Sequence, residues 1–174
     1  GMFAGTPPLE ALRCLIHEAA TIRANYGPYS KVIMINDVAR AFFEAPAVRQ
    51  VCVELPDEDR NSSDRSLDKV GHLQMSLYGT RDAAMNWQEE VAKEMAKWGF
   101  KRGRYNPCLY WHPKSGVMTL VHGNDFVSVG SQYAANKFNS QLEARFGIKT
   151  QFIGPPDAEG GACASSVSGG PSGQ

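Results

Sequence analysis

The spacing of hydrophobic and polar residues predicts a helix and then a strand in the first part of the chain. Leucine, isoleucine and alanine recur every three or four positions after Thr6-Pro7-Pro8, which predicts an amphipathic helix that ends by Gly27-Pro28. Residues 31–36 (KVIMIN) form a short apolar run rich in β-branched side chains, which is typical of a buried strand. The run ends at Asp37, so a carboxylate follows the strand directly.

The middle of the chain alternates between apolar and strongly polar segments. Residues 50–55 (QVCVEL) alternate as a strand does and end at Pro56, and strand-like alternation returns at 72–77. Between them, residues 57–69 carry charged and polar side chains with almost no apolar ones. We therefore expect a solvated loop over 57–69.

From residue 84 the apolar period changes from two to between three and four. This spacing predicts an amphipathic helix over 84–98 that ends at Gly99, with Trp87 and Trp98 as its core anchors. The segments after it predict a three-stranded meander, a helix and a Gly/Ser/Pro-rich tail, at 108–112, 117–121, 126–129, 132–146 and 154–174.

Helices and hairpin-connected strands interleave along the chain, which predicts an α+β fold. The sheet is expected to be largely antiparallel, with helices packed on one face. The 174 residues fit about one domain, and a hydrophobic fraction of 43% is enough for a core.

The balance of charged residues bears on whether the chain binds nucleic acid. Lys and Arg total 18 and so do Asp and Glu, so the composition by itself gives no support for nucleic-acid binding. A local basic cluster at Lys97, Lys101, Arg102 and Arg104 could meet a phosphate backbone, and a solvated helix end is the alternative explanation.

Zinc-binding, secretory and membrane-spanning signals are absent from the sequence. The four cysteines and four histidines show no zinc-ligand spacing, and scattered thiols favour an intracellular compartment. No apolar run approaches the roughly 20 residues that span a bilayer, and the first residues lack a signal-peptide pattern.

Two strand ends deliver a carboxylate, Asp37 after KVIMIN and Asp125 after MTLVHGN. If the two strands are neighbours, the carboxylates converge and repel each other unless a cation lies between them. Hard divalent ions such as Mg²⁺ favour oxygen ligands, and phosphoryl transfer uses them. Aspartate is also common in ordinary turns because its side chain bonds nearby backbone amides, so the spacing alone leaves both explanations open.

The sequence around these aspartates closely resembles the reverse transcriptase of copia-type LTR retrotransposons. The sequence blocks of that family read roughly D-V-x-x-A-F-L, V-Y-x-x-x-P, L-Y-G-L-K-Q-A-x-R-x-W, G-F, D-x-x-L-F and Y-V-D-D-I-L. The corresponding blocks here are DVARAFF (37–43), VCVELP (51–56), SLYGTRDAAMNW (76–87), WGF (98–100), NPCLY (106–110) and LVHGNDFV (120–127). The segments TPPLEALR (6–13), LEARFGIK (142–149) and FIG (152–154) fit the family's flanking helices, so the resemblance covers about residues 6–154.

This resemblance implies a polymerase palm over residues 1–154, whereas the Gly/Ser/Pro-rich composition predicts a disordered tail over 155–174. It implies two Mg²⁺ ions, with Mn²⁺ as a possible substitute, held by Asp37, Asp125 and the backbone of Val38. The implied partners are dNTPs and an RNA or DNA template-primer, with no membrane. The implied setting is intracellular, in the cytoplasm, the nucleus or a retrotransposon particle.

Two further residues match the family's nucleotide-binding positions. Phe42 matches the aromatic steric gate that excludes a ribose 2′-OH, although Phe42 or Phe43 could equally belong to the core, and at least one of them is expected there. Gly79 matches a backbone position close to template and nucleotide, and an ordinary turn glycine is the alternative.

The chain also departs from the family pattern. His122-Gly123-Asn124-Asp125 stands at the Y-V-D-D block, so Asn124 occupies the place of the hairpin's first aspartate. The L-K-Q-A-P segment is altered to Thr80-Arg81-Asp82-Ala83-Ala84. By the resemblance, the basic fingers strands belong before residue 6, and the thumb-like connection and RNase H belong after residue 154.

Three hypotheses follow from the sequence. The first is a reverse-transcriptase palm, part of a retrotransposon polyprotein, that adds deoxynucleotides by two-metal chemistry impaired by Asn124 and by the missing fingers. The second is a catalytically dead, transposon-derived fragment that acts at most as a nucleic-acid-binding or interaction module. The third is an unrelated α+β binding domain with two turn aspartates.

Overall fold

The computed structural model describes residues 5–20, 31–66 and 69–154. These residues form two compact units, one made of Ala41–Glu90 and the other of Gly5–Arg40 together with the chain from Val91 onward. The predicted helix end at Gly27-Pro28 and the predicted tail at 155–174 lie outside the described residues.

In chain order the strands are β1 (Lys31–Val38), β2 (Cys52–Glu54), β3 (Val70–His72), β4 (Lys101–Arg102), β5 (Leu109–Trp111), β6 (Met118–His122), β7 (Asp125–Ser131) and β8 (Ile148–Ile153). The helices are α1 (Leu9–Ala20), α2 (Ser62–Ser66), α3 (Ala83–Lys97) and α4 (Gln132–Arg145), with short 3₁₀ helices at Ala41–Glu44 and Asp57–Asp59. Within the described ranges, none of these helices has the length and apolar character that crossing a bilayer requires.

The larger unit is built on a six-stranded sheet in the order β4-β5-β6-β7-β1-β8, and every pairing in it is antiparallel. Strand β1 is central because it pairs with β7 on one side and β8 on the other. Its side chains alternate strictly between buried and half-buried, as expected for a strand with one face against a core. The predicted α+β class and antiparallel sheet are confirmed.

Helices α1 and α4 pack on opposite faces of this sheet. Ala11 and Leu15 of α1 cluster with Leu120 and Val129, and Ile33 packs against the same cluster. Helix α4 reaches the other face of β1, where Asn139 accepts a hydrogen bond from Asn36 at 2.9 Å. Positions 33 and 36 have opposite parity, so they lie on opposite sides of the strand. The expectation that the helices share one face therefore does not extend to α1.

Helix α3 follows the predicted boundaries closely, and its tryptophans differ in burial. Trp87 is 2% exposed, as expected of a core anchor. Trp98 is half-buried and meets Phe138 and Phe146 edge-on, with ring centroids 6.0 and 6.4 Å apart. These contacts join the C-terminal end of α3 to α4.

The predicted meander is confirmed as β5, β6 and β7, whereas other boundaries differ from the predictions. The segments 142–149 and 152–154 fit the family's flanking helices, but residues 148–149 and 152–153 belong to strand β8 (Ile148–Ile153) on the edge of the sheet. The predicted strand over 72–77 is instead β3, which ends at His72 and is followed by an isolated bridge at Met75.

The expected loop over 57–69 contains the 3₁₀ helix Asp57–Asp59 and the short helix α2. The backbone N–H of Asp64 donates to the side chain of Asn61 at 2.9 Å, and that of Asn61 donates to the side chain of Asp64 at 3.1 Å. This reciprocal capping satisfies the first turn of the helix and explains how so polar a segment becomes helical.

The smaller unit holds the two-stranded sheet of β2 and β3 and a set of polar side-chain links. Arg49 donates to Asp82 at 2.9 Å, and this ion pair holds the pKa of the Asp82 carboxyl below its usual value. Asn86 donates to Ser76 at 3.0 Å inside the same unit. Asp82, which departs from the family pattern, therefore stabilises this unit through its ion pair with Arg49.

Candidate active site

The structure brings together the two aspartates that the sequence singled out. The antiparallel register of β1 and β7 places Asp37 directly opposite Asp125. Directly opposed residues have Cβ atoms roughly 4.5–5.5 Å apart, and like charges in this arrangement are destabilising. Asp37 is half-buried and Asp125 is exposed, so both carboxylates are accessible at this end of the sheet.

The β6–β7 hairpin closes with a two-residue turn at Gly123-Asn124. His122 and Asp125 form the last strand pair before the turn, so Asp125 opens β7 instead of lying in the turn. Gly123 has φ +58°, the left-handed conformation that a two-residue hairpin requires at its first central position. The tip is fixed to β1 because the backbone N–H of Val38 donates to the carbonyl of Asn124 at 2.9 Å.

Asn124 also reaches β1 through its side chain. Its amide nitrogen donates a hydrogen bond to Oδ1 of Asp37. A carboxylate at this position could not donate, and it would add a second repulsive contact to the pair already formed by Asp37 and Asp125. The amide therefore stabilises the ionised carboxylate of Asp37 where the family pattern has another acid.

The electrostatic environment of Asp125 is unfavourable for its charge. Partial burial raises the pKa of Asp125 above its usual value of 3.8, and the negative charge of Asp37 raises it further. His122 acts in the opposite direction, from directly across the hairpin. A carboxylate destabilised in this way gains more from a nearby cation than an isolated surface carboxylate does.

The carboxylate pair lies in the middle of a four-residue row that crosses the sheet. On its outer side, Asp37 pairs with Lys149 of β8, and Asp125 pairs with His122 of β6. Directly opposed residues share a face of the sheet, so two acids lie between a lysine and a histidine. The sequence did not single out Lys149, although the alternation of I-K-T-Q-F-I over 148–153 is the signal that would have placed it on a strand.

A partly buried polar cluster lies on the opposite face of β1, immediately before Asp37. Asn36 is fully buried, and its amide nitrogen donates to Asn139 of α4 and to Thr150 of β8, both at 2.9 Å. The hydroxyl of Thr150 donates to the same Asn139 oxygen at 2.7 Å, which closes a triangle of three side chains. Since Thr150 is the register partner of Asn36, the triangle fixes β8 against β1 and places Lys149 beside Asp37.

The oxygen atoms at this edge meet part of what a hard divalent cation requires. Two opposed carboxylates with mutually unfavourable charges are suitable oxygen ligands for such an ion. Across the described residues, however, no group of three or more His, Cys, Asp or Glu side chains could hold a metal ion. The site therefore fits a cation through one carboxylate pair, and Asn124 donates to an oxygen that the cation would use.

Phe42 and Gly79, the two nucleotide-binding candidates, lie in the smaller unit. The ring of Phe42 lies 4.3 Å from that of Tyr78, the residue before Gly79, so the structure brings these two candidates close together. Phe42 is half-buried and Phe43 is 41% exposed, so the expectation that at least one belongs to the core is wrong. Both rings pack against Tyr78 instead.

Gly79 is a turn residue with φ +88°, and a Cβ added there would meet no atom within 4 Å. The backbone N–H of Thr80 donates to the carbonyl of Leu77 at 3.0 Å and closes the turn. The glycine is therefore required by its backbone conformation, which agrees with the simpler explanation of this position.

Comparison with known proteins identifies a family over most of the chain. The sequence model of the family described as reverse transcriptase (RNA-dependent DNA polymerase) matches residues 11–154. The matched range includes β1, the β6–β7 hairpin and β8. A comparison with curated protein sequences finds no match.

Proposed function

Because the chain belongs to the copia-type reverse transcriptase (RNA-dependent DNA polymerase) family, we propose that the edge formed by Asp37 and Asp125 is its nucleotidyl-transfer site. The observation that carries this proposal is that Asp37 and Asp125 lie directly opposite each other, at accessible ends of the neighbouring strands β1 and β7. Two acids directly opposite each other reduce stability, and cation binding is a function that offsets this cost.

The proposed ligands are the carboxylates of Asp37 and Asp125, with the backbone of Val38 as a further oxygen donor by resemblance. Bound Mg²⁺ or Mn²⁺ would activate the primer hydroxyl and stabilise the leaving pyrophosphate. The carboxylates of this chain orient the cation, and the strand register holds them at a fixed separation. The proposed substrates are dNTPs and an RNA or DNA template-primer, and the proposed setting is a retrotransposon polyprotein.

Phe42 and Gly79 are proposed to contact the incoming nucleotide, by resemblance to the family's steric gate and template-facing backbone. The partly exposed edge formed by Phe42, Phe43 and Tyr78 supports a stacking role, because both phenylalanine rings pack on Tyr78 and none of the three is buried in the core. A Phe42→Ala variant is expected to admit ribonucleotides if Phe42 acts as the gate.

We further propose that Asn124 impairs the site. An amide brings no negative charge, and this one donates to the Asp37 oxygen that a cation would use. Loss of supporting contacts at metal sites costs roughly 10–100-fold in affinity or activity, so loss of a ligand charge should cost at least as much. The reaction class is then that of the family, and the cation affinity is reduced.

The second candidate function is a catalytically inactive module that binds nucleic acid or another partner. The same hydrogen bond from Asn124 to Asp37 favours it, because it stabilises the edge with no cation. The two candidates differ in whether a cation binds between the aspartates, which can be measured directly.

The first test is an Mn²⁺ titration followed by paramagnetic broadening of backbone amide NMR signals. The proposal expects broadening centred on Asp37, Val38 and Asp125, and its loss in Asp37→Asn and Asp125→Asn. Absence of broadening there at millimolar Mn²⁺, in both the natural chain and Asn124→Asp, would refute the cation site.

Primer extension then distinguishes an impaired polymerase from a catalytically inactive module. Extension by Asn124→Asp well above that of the natural chain supports impairment at this residue. Robust extension by the natural chain contradicts the impairment. Cation binding by Asn124→Asp without extension favours the inactive module.

A further inference from the structure

One segment of this chain carries a net positive charge, because its basic residues are not balanced by acidic ones. Residues 97–117 contain five of the 18 Lys and Arg residues and none of the 18 Asp and Glu residues. The rest of the chain has 13 basic against 18 acidic residues, so a segment of net +5 lies within a remainder of net −5. A net charge of zero therefore hides a strong local asymmetry.

The structure separates these basic side chains into two groups. Lys97 donates to Glu94 at 2.7 Å, and the Nε of Arg102 donates to the carbonyl of Pro107 at 2.8 Å, so both have internal partners. Lys101, Arg104 and Lys114 are exposed. The basic cluster expected from the sequence is therefore only partly available for a partner.

Two exposed aromatic rings accompany the exposed cations. Tyr105 is 94% exposed, and the guanidinium of Arg104 lies 5.7 Å from the centre of its ring. Trp111 is 46% exposed, and it is the register partner of Lys101 between β4 and β5. We name the set Lys101, Arg104, Tyr105, Trp111 and Lys114 the basic edge.

The basic edge lies on the two strands at one margin of the sheet: Lys101 is on β4, Trp111 is on β5, and the loop and turn that flank β5 carry the other three residues. Strand β4 is the outermost strand, and none of the described residues pairs with its outer side. The loop between β4 and β5 carries Arg104 and Tyr105, and its last residue, Cys108, accepts a hydrogen bond from the backbone N–H of Val121 at 2.8 Å. Only His122 separates Val121 from the β6–β7 turn, so this loop lies at the same end of the sheet as the hairpin tip.

We propose that the basic edge binds single-stranded nucleic acid. Lysine and arginine neutralise backbone phosphates and release counterions, which gives affinity without sequence preference. Exposed aromatic rings provide surfaces on which unpaired bases stack, and they favour single strands over duplexes. The combination of exposed rings, exposed cations and a segment without acids matches this class of partner.

The choice of partner rests on the proposed function, but the binding itself uses neither Asp37 nor Asp125. A cation at the acidic pair is therefore not required. The competing explanation is a solvated positive surface that attracts any polyanion through charge alone. The aromatic rings distinguish the two, because charge attraction would survive their removal.

The experiment is fluorescence anisotropy of labelled twelve-nucleotide dT and rU oligomers with the full chain in EDTA and low salt. We expect Tyr105→Ala and Trp111→Leu each to weaken binding by about 5- to 150-fold, the range for losing one stacked base. We expect Lys101→Ala and Arg104→Ala each to reduce the salt slope by about 0.7, the value for one single-strand phosphate contact. Comparing the two oligomers tells whether the edge prefers DNA or RNA.

Helix α4 supplies matched controls, because Tyr133 is 71% exposed and Lys137 is exposed on the same helix. Tyr133→Ala and Lys137→Ala should bind as the natural chain does, and thermal unfolding checks that every variant folds. The proposal is overturned if the oligomers do not bind, if the control variants lose as much affinity, or if duplex DNA or heparin competes as well as a single strand.

The outcome is distinguishable from that of the proposed function. Binding in EDTA should be unchanged in Asn124→Asp, and Mn²⁺ binding at the acidic pair should be unchanged in Tyr105→Ala. A negative result for one proposal therefore does not contradict the other.

Discussion

The side-chain amide of Asn124 donates a hydrogen bond to Oδ1 of Asp37, which links the hairpin tip to the end of β1. The same asparagine accepts from Val38 through its carbonyl, so side chain and backbone both join the tip to β1. This arrangement holds the acidic pair together without a cation. It also means that a cation has to displace or rotate the amide before it can use that oxygen.

Replacing the amide by an acid should destabilise the cation-free protein. Asn124→Asp loses the hydrogen bond to Asp37 and places a third carboxylate beside the pair. We expect the free energy of unfolding without metal to fall by about 1 kcal/mol, the usual net value of one hydrogen bond. Chemical denaturation in EDTA measures this change.

Asn136→Asp is the matched control for that substitution. Asn136 is exposed on α4, and its side-chain oxygen accepts a hydrogen bond from Gln132, which an aspartate can still do. Its stability should change by less than about 0.5 kcal/mol, as for most surface substitutions. Equal losses in both variants would contradict a specific role for the bond between Asn124 and Asp37.

Removing the charge of Asp125 should stabilise the cation-free protein at neutral pH. The pKa of Asp125 is raised in the folded state, so the folded state binds this proton more tightly than the unfolded state does. Stability is then lost as pH rises from the ordinary value of 3.8 through the raised pKa. Asp125→Asn should therefore be more stable than the natural chain at pH 7 and lose this advantage below about pH 3.8.

An Asp37→Asn background tests the cause of that effect. Burial of Asp125 remains there, but the charge of Asp37 is gone, so the gain from Asp125→Asn should shrink without vanishing. Thermal unfolding across pH 3–7 in EDTA gives both differences. An advantage that is the same at all pH values would show that titration of Asp125 is not its source.

The triangle of Asn36, Asn139 and Thr150 should matter to the position of β8. Thr150→Val removes a donor and an acceptor, so the buried amide of Asn36 and the half-buried amide of Asn139 each lose a hydrogen bond, which costs about 1–3 kcal/mol. Thr6→Val, at an exposed position, should change little. Hydrogen exchange of the β8 amides should accelerate in Thr150→Val, and unchanged protection would contradict a role in fixing the strand.

The tight hairpin turn should depend on its glycine through backbone conformation alone. A Cβ at Gly123 meets nothing within 4 Å, but φ is +58°, so Gly123→Ala is expected to cost about 1–2 kcal/mol from strain. Gly147→Ala is the control, since its nearest contact would be an ordinary 4.0 Å from Ala39. Denaturation curves for both variants check the difference, and equal stability would contradict the strained turn.

Strong local signals made part of the fold predictable. The β6–β7 hairpin was expected because two apolar runs flank a short polar segment, and α3 was expected from its apolar period. Strand β8 was missed because its side chains alternate between half-buried and exposed and its partner β1 is more than 100 residues away in sequence. Local pattern cannot reveal such a distant pairing.

The candidate site was predictable in its residues but not in its contacts. Asp37 and Asp125 were found from strand ends together with the family pattern, and Asn124 was found as a departure from it. The donation from Asn124 to Asp37 depends on the register between β1 and the hairpin, which no local pattern fixes. Lys149 enters the row of charges only because β8 pairs with β1 in one register.

The central claim is that Asn124 lowers the cation affinity of the acidic pair. The most direct test is the dissociation constant of Mn²⁺, measured by electron paramagnetic resonance for the natural chain, Asn124→Asp and Asn136→Asp. We predict that Asn124→Asp binds Mn²⁺ at least about 10-fold more tightly than the natural chain, whereas Asn136→Asp does not differ from it. Equal affinity of the natural chain and Asn124→Asp would contradict the claim.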